Sequence, residues 1–304
     1  MKKTNKIIVI IGVLIVGVLG GMGAFAYKMY SDVTNVTDKI HNEVSTEKKR
    51  EEKVKVSRED PFSIALLGID TGDFGRVDQG RSDSVTVLTV NPKTKQTKIL
   101  SVPRDTYTEI SGFNKKDKIA HAYAFGGIET ALNTLQNLLD IPIDYYISID
   151  MGAAEKIIDA IGGVDVNSPL AFELDGIAFK KGPAHLNGEE ALAYTRMRYD
   201  DPKGDYGRQA RQREVLENII KEGATLSSLM KYKDVLTVIE DNMKTNLSID
   251  EMFEIQKNYR SAADTIEQVQ LVGEGEMLNE VSYEMIPQDE IERVSTILKN
   301  ELGI

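Results

Sequence analysis

The sequence contains no cysteine. That excludes disulfides, thiol nucleophiles and cysteine-ligated metals together. Histidine is almost as scarce. His41 sits in a charged stretch, and His121 and His185 are far apart, too scattered for a histidine metal cluster. The usual nucleophile and nucleotide signatures are missing: there is no GxSxG, no P-loop lysine motif and no HExxH. An excess of positive charge is missing too. Lysine and arginine total 37 against 48 aspartates and glutamates, a formal net charge of -11. Nucleic-acid binders show a basic patch or stripe, so this balance argues against a nucleic-acid partner.

One long apolar run is present. Lys2, Lys3 and Lys6 precede Ile7 to Tyr27, about 20 residues, enough to cross a bilayer as a helix. Lysines before the run predict a cytoplasmic N-terminus and an extracellular C-terminal part, a single-pass type II arrangement at the cell membrane. A cleaved signal peptide is the competing reading, because Ala24-Phe25-Ala26 has the small-x-small form of a cleavage site. The expected division is a cytoplasmic tail at 1–6, a transmembrane anchor at 7–27, a charged juxtamembrane stalk at 28–60 and an outer domain at 61–304.

Within the outer domain, FSIALLGI, DSVTVLTV, QTKILSV and IDYYISI read as buried strands. EQVQLVG and EVSYEMI read as later strands, and FELDGIAFKKG as a hairpin around Asp175-Gly176. Helical spacing appears in IETALNTLQNLLD after Gly126-Gly127, and in MGAAEKIIDAIGG with its glycine stop. It recurs in NGEEALAYTRMR with Asn187 as N-cap, in GRQARQREVLENIIKEG, in SLMKYKDVLTVIEDNM, in SIDEMFEIQKNY, and in a last helix opened by Pro287. Strands interleaved with helices imply an α/β sheet covered by helices.

Arginine is concentrated in three short segments: Arg81 in RSD, Arg104 in PRD, and Arg196, Arg198, Arg208, Arg211 and Arg213 in TRMRYDDPKGDYGRQARQR. Guanidinium is planar, permanently charged and bidentate, and so suits phosphate oxygens. Arg208, Arg211 and Gln212 stand at i, i+3 and i+4, near a helix start whose positive end also favours an anion. A salt-bridged helix surface, with Asp200, Asp201, Asp205 and Glu214 as partners, is the competing reading of the same residues. Asp70 closes the first strand, and Arg81 and Asp83 open the next; an extended backbone would point both of the latter the same way. Asp70 and Asp83 could hold a hard cation beside phosphates, or Asp70 could cap a turn while Asp83 pairs with Arg81. Phosphoryl transfer needs no protein nucleophile, since positioning and charge neutralisation carry most of it.

LLGID, GRSDSVTVLTVNP, SVPRDTY, KIAHAYAFGG, ALAYTRMR and GDYGRQARQR, in this order, resemble the LytR-CpsA-Psr family, and most closely its teichoic acid transferases. The resemblance covers the anchor and nearly all of the outer domain. It implies an α/β fold with a central mixed β-sheet covered by helices on both faces, preceded by a single N-terminal transmembrane helix. It implies a transferase of a substituted phosphate group in cell wall biogenesis. A glycopolymer on a polyprenyl-pyrophosphate carrier would be moved to the C6 hydroxyl of N-acetylmuramic acid in the peptidoglycan glycan strand. By the same resemblance, magnesium, or manganese in its place, would sit on Asp70 and Asp83. Arg81, Arg104, Arg196, Arg198, Arg208, Arg211 and Gln212 would grip the pyrophosphate, and Asp83, Arg104 and Asp105 would be catalytic. A polyprenyl-phosphate-binding regulator and a lipid-linked pyrophosphatase are the alternatives.

Overall fold

The structure, a computed structural model, describes residues 23–47, 49–70, 80–223, 232–263 and 265–304. Its centre is a six-stranded mixed sheet. Strands β1 (Phe62–Asp70), β2 (Arg81–Asn91) and β3 (Gln96–Val102) form an antiparallel meander. β6 (Tyr145–Asp150) lies parallel to β1. At the edges, β11 (Met243–Thr245) runs antiparallel to β6, and β12 (Thr265–Gln270) parallel to β3.

Both faces of this sheet are covered, which is why its central strands read as continuous apolar runs rather than as alternating ones. On one face, Phe62, Ile64, Leu88, Val90, Tyr145 and Ile147 belong to a core with helices α3 (Met151–Ile161), α4 (Gly188–Arg196), α6 (Tyr232–Asn242) and α7 (Ile249–Asn258). On the other, Ala65, Leu67, Val87, Leu100 and Tyr146 pack with α2 (His121–Leu139) and α8 (Gln288–Leu302). Helix α5 (Asp205–Gly223) follows α4 and adds Val215 to the first core. The expected mixed sheet with helices on both faces is therefore what the chain forms.

Local signals worked where backbone chemistry is specific. Asn187 caps α4 in a reciprocal box with Glu190. Asp175 and Gly176, both at positive φ, close the hairpin of β8 (Phe172–Leu174) and β9 (Ile177–Phe179). α2 starts earlier than expected, at His121, and is broken at Gly126 and Gly127, the latter at φ 66° and ψ -153°. Two hairpins lacked a clear sequence signal. One joins β4 (Tyr107–Ile110) to β5 (Lys115–Lys118); the other joins β13 (Glu274–Leu278) to β14 (Val281–Met285), of which only the second strand was expected.

The expected stalk requires a correction. Val33, Val36 and Ile40, on helix α1 (Gly23–Ile40), are buried in the first core, as are Val54 and Val56 further along. His41 bridges to Thr245 at the edge of the sheet, and Lys39 pairs with Glu240 of α6. The three apolar side chains recur at one-turn spacing and form a stripe that the charge around them obscured. Residues 33–41 and 54–56 are thus packed on the domain. Most of the run expected to span a membrane lies outside the described residues, among which no helix is long and apolar enough to cross a bilayer.

Candidate active site

The candidate site lies at one end of the central strands. Asp70, the last residue of β1, stands opposite Arg81, the first of β2. Between them and the rest of the pair the register shifts: Gly68 faces Ser84 and Ile69 faces Ser82, which leaves Asp83 as an extra residue. A bulge of this kind re-aims a side chain. It breaks the alternation on which a common direction for Arg81 and Asp83 rested. Arg81 is exposed, whereas a carboxylate oxygen of Asp83 lies 3.2 Å from Arg104 Nη1.

Arg104 and Asp105 sit just beyond β3, where Pro103 ends the ladder. The backbone of this turn is held by three hydrogen bonds. Ala120 N donates to Arg104 O at 3.1 Å, Glu284 N to Asp105 O at 2.9 Å, and Thr106 N to Pro103 O at 3.0 Å. The Asp105 carboxylate gathers cations: Lys118 Nζ at 2.7 Å, Arg198 Nη1 at 3.4 Å and Arg104 Nε at 3.8 Å. That Arg104 Nε is buried and makes no hydrogen bond. A buried charged donor without an acceptor is costly unless something supplies one.

Helix α5 closes the site. Arg208 is buried, with Nε and Nη2 each 2.8 Å from Asp205 Oδ1 and Nη1 3.4 Å from the carbonyl of Asp83. Burial pulls its guanidinium below the ordinary value; Asp205 opposes this and the charge of Arg104 adds to it. Asp205 is itself half-buried. Burial alone would raise its carboxyl, but Arg208, Gln209 and Arg198 outweigh that and hold it below the usual carboxylate range. One turn on from Arg208, Gln212 Oε1 lies 3.5 Å from Ser84 Oγ of β2. Guanidinium groups crowded in this way repel one another, and an anion between them relieves the repulsion.

Residues 27–300 match the LytR_cpsA_psr family. The chain is 48% identical to the polyisoprenyl-teichoic acid–peptidoglycan teichoic acid transferase TagU of Enterococcus faecalis, over 100% of this chain and 99% of that one. The chain belongs to the LytR-CpsA-Psr family. Solved structures agree in fold. TagU of B. subtilis superposes with a TM-score of 0.63 at 43% identity, over 80% of this chain and 97% of that one. TagT bound to LIIa-WTA superposes with a TM-score of 0.70 at 33% identity, over 86% and 97%.

Among the site residues expected from the LytR-CpsA-Psr resemblance, Asp83, Arg104, Asp105, Arg198 and Arg208 are brought into one network by these contacts. Gln212 borders it through Ser84, and Asp70 and Arg81 flank it as cross-strand neighbours. Arg196 ends α4, half-buried, two residues before Arg198. Arg211 is not in the network. It is 2% exposed; Nη1 pairs with Asp201 at 2.5 Å, Nε donates to Tyr194 O at 3.0 Å, and Nη2 donates to Met197 O. Here Arg211 follows the ion-paired reading, with its guanidinium taken up by Asp201 and two backbone carbonyls. A Cβ on Gly207 would stand 1.9 Å from the same Asp201 carboxylate, so this close approach requires glycine.

Two residues of the network carry no clear mark in the sequence. Lys118 reaches Asp105 from β5, a strand so polar that no periodicity marks it. Asp205 orients Arg208 and was read only as a generic partner. For a metal, no group of three or more histidines or acidic residues is placed to hold one among the described residues. Magnesium seldom needs that many, since one or two carboxylates, waters and substrate phosphate usually suffice. Asp70 and Asp83, at the same end of adjacent strands, fit that pattern.

Proposed function

We propose that this chain transfers teichoic acid from a polyprenyl-pyrophosphate carrier to the C6 hydroxyl of N-acetylmuramic acid in peptidoglycan. The observation that carries this reading is the convergence of Arg104, Arg198, Arg208 and Lys118 on the strand ends around Asp83 and Asp105. It is supported by full-length similarity to a named teichoic acid transferase. The hydroxyl oxygen attacks the phosphorus that carries the polymer. A phosphodiester bond forms, the phosphoanhydride bond breaks, and polyprenyl phosphate leaves. Arg104, Arg198 and Arg208 hold the pyrophosphate oxygens, and the unsatisfied Arg104 Nε has an acceptor there. Asp83 or Asp105 takes the hydroxyl proton. Magnesium on Asp70 and Asp83 would supply further charge neutralisation at the pyrophosphate. Residues 7–27 hold the domain at the outer face of the cell membrane, where the lipid carrier resides.

The test is incubation of the chain with a lipid-pyrophosphate-linked polymer, magnesium and a peptidoglycan oligomer. Covalent polymer–glycan product is expected. Free phosphorylated polymer would point to hydrolysis instead, and tight binding without turnover to a sensor. Arg104→Ala and Arg208→Ala should each lower turnover by roughly 10²–10³, the usual loss when one preorganised donor to transition-state charge is removed.

A further inference from the structure

One face of the β4–β5 hairpin is committed to the fold. Ile110 is fully buried, and Lys115 Nζ lies 3.5 Å from the centre of the Phe125 ring on α2. The opposite face carries Tyr107, Glu109, Lys116 and Lys118, because Tyr107 pairs with Lys118 and Glu109 with Lys116, and direct cross-strand partners share a face. Tyr283 of β14 extends this face. Its ring meets Tyr107 edge-on at 4.8 Å, and Glu276 is its cross-strand partner. Lys116 lies 5.9 Å from the Tyr107 ring, and Lys118 5.6 Å from that of Tyr283. Lys118 also touches Asp105, so the patch begins where the candidate active site ends.

Two adjoining half-buried rings, each with an ammonium group over one face, are thus accompanied by two carboxylates. That mixture selects among ligands. A phosphodiester polymer would meet Glu109 and Glu276 as like charges. An acyl chain would have to strip water from four charged groups. A peptidoglycan glycan suits the patch: with the lactyl carboxyl of each N-acetylmuramic acid amide-linked to its peptide, the sugars carry no charge, their C–H faces lie on the rings, and their hydroxyl and acetamide groups bond to the lysines and glutamates. We propose that this face is a glycan subsite that receives the acceptor peptidoglycan strand beside Asp105. The inference rests on the transfer reaction proposed above and adds where the acceptor lies.

The test is titration of the full chain in detergent with a soluble oligomer of alternating N-acetylglucosamine and N-acetylmuramic acid whose lactyl carboxyls are amidated, with inorganic pyrophosphate, and with soluble teichoic acid. Tyr107→Ala and Tyr283→Ala should each weaken oligomer binding about tenfold, the scale expected for loss of one ring contact. Tyr283→Phe should preserve it, and pyrophosphate affinity should stay unchanged throughout. Lys116 is exposed, so Lys116→Ala keeps the test decisive if an alanine variant fails to fold; it should weaken oligomer binding about threefold. Wild-type oligomer affinity in these variants overturns the proposal. So does a loss directed at teichoic acid rather than the oligomer, or an absence of oligomer binding by the unaltered chain. Transfer of polymer is scored separately, so failure of the reaction itself leaves a different signature.

Discussion

Arg211 has almost no contact with water, and its guanidinium is divided between one carboxylate and two backbone carbonyls. Removing one member of a buried pair strands the other, at about 3–5 kcal/mol. Arg211→Met should therefore lower stability to urea by that amount through the buried Asp201, while pyrophosphate affinity of the folded variant stays near wild type. A large loss of pyrophosphate affinity without loss of stability would return Arg211 to the site. Asp205 allows a pH test. Its carboxyl is held below the usual range in the folded chain. Its contribution to stability is therefore complete above the unfolded carboxylate pKa and is lost as pH falls through the folded value. Asp205→Asn should flatten the acid side of the stability–pH curve below about pH 4, and leave the slope near neutrality unchanged. The spacing of Arg208, Arg211 and Gln212 could not separate these roles. On an ideal helix Arg211 falls about 60° to one side of Arg208 and Gln212 about 40° to the other. Either side could have faced the strands, and only the position of α4 decides that Gln212 does.

The elements around the site are tied together by side chains that do no chemistry. Tyr206, in the first turn of α5, donates to Glu284 of β14 at 2.7 Å and accepts from Gly273 N at 2.9 Å. Glu284 N in turn donates to Asp105 O. The helix that carries Arg208 is thus linked to the turn that carries Arg104 and Asp105 by way of a hairpin. Tyr206→Phe removes both bonds of the hydroxyl. A cost of about 1–3 kcal/mol is expected, together with a severalfold fall in kcat at little-changed donor KM; an unaltered kcat would show that the link has no bearing on the reaction. The central strands and the caps of α4 and α8 were legible because burial and backbone chemistry impose them locally. β5 was not. KKDK has no apolar residue to mark it, and its placement comes from pairing with β4. Lys118 stayed hidden for the same reason, although it lies in a segment that carried the family resemblance.

At the scale of the whole molecule, the N-terminal segment is part of the domain's stability. Val33, Val36 and Ile40 are all buried, and each contributes roughly 1.5–3 kcal/mol. A chain starting at residue 43 should unfold at clearly lower urea concentration than one starting at residue 23. Equal midpoints would mean that α1 adds nothing to the domain. The full chain should fractionate with membranes, and both truncations with the soluble fraction. The charge around α1 made residues 28–60 look like a free spacer, because a single stripe of three apolar side chains is a weak signal beside so many lysines and glutamates. Its packing has a further consequence. With residues 7–27 in the bilayer, as proposed, the helix leaving the membrane is the one fastened to the domain, and no slack tether separates them. A lipid-linked donor then finds the site by a search in two dimensions, at one fixed height. On that arrangement the wall strand would have to come down to the domain, because the domain would have no tether with which to reach up.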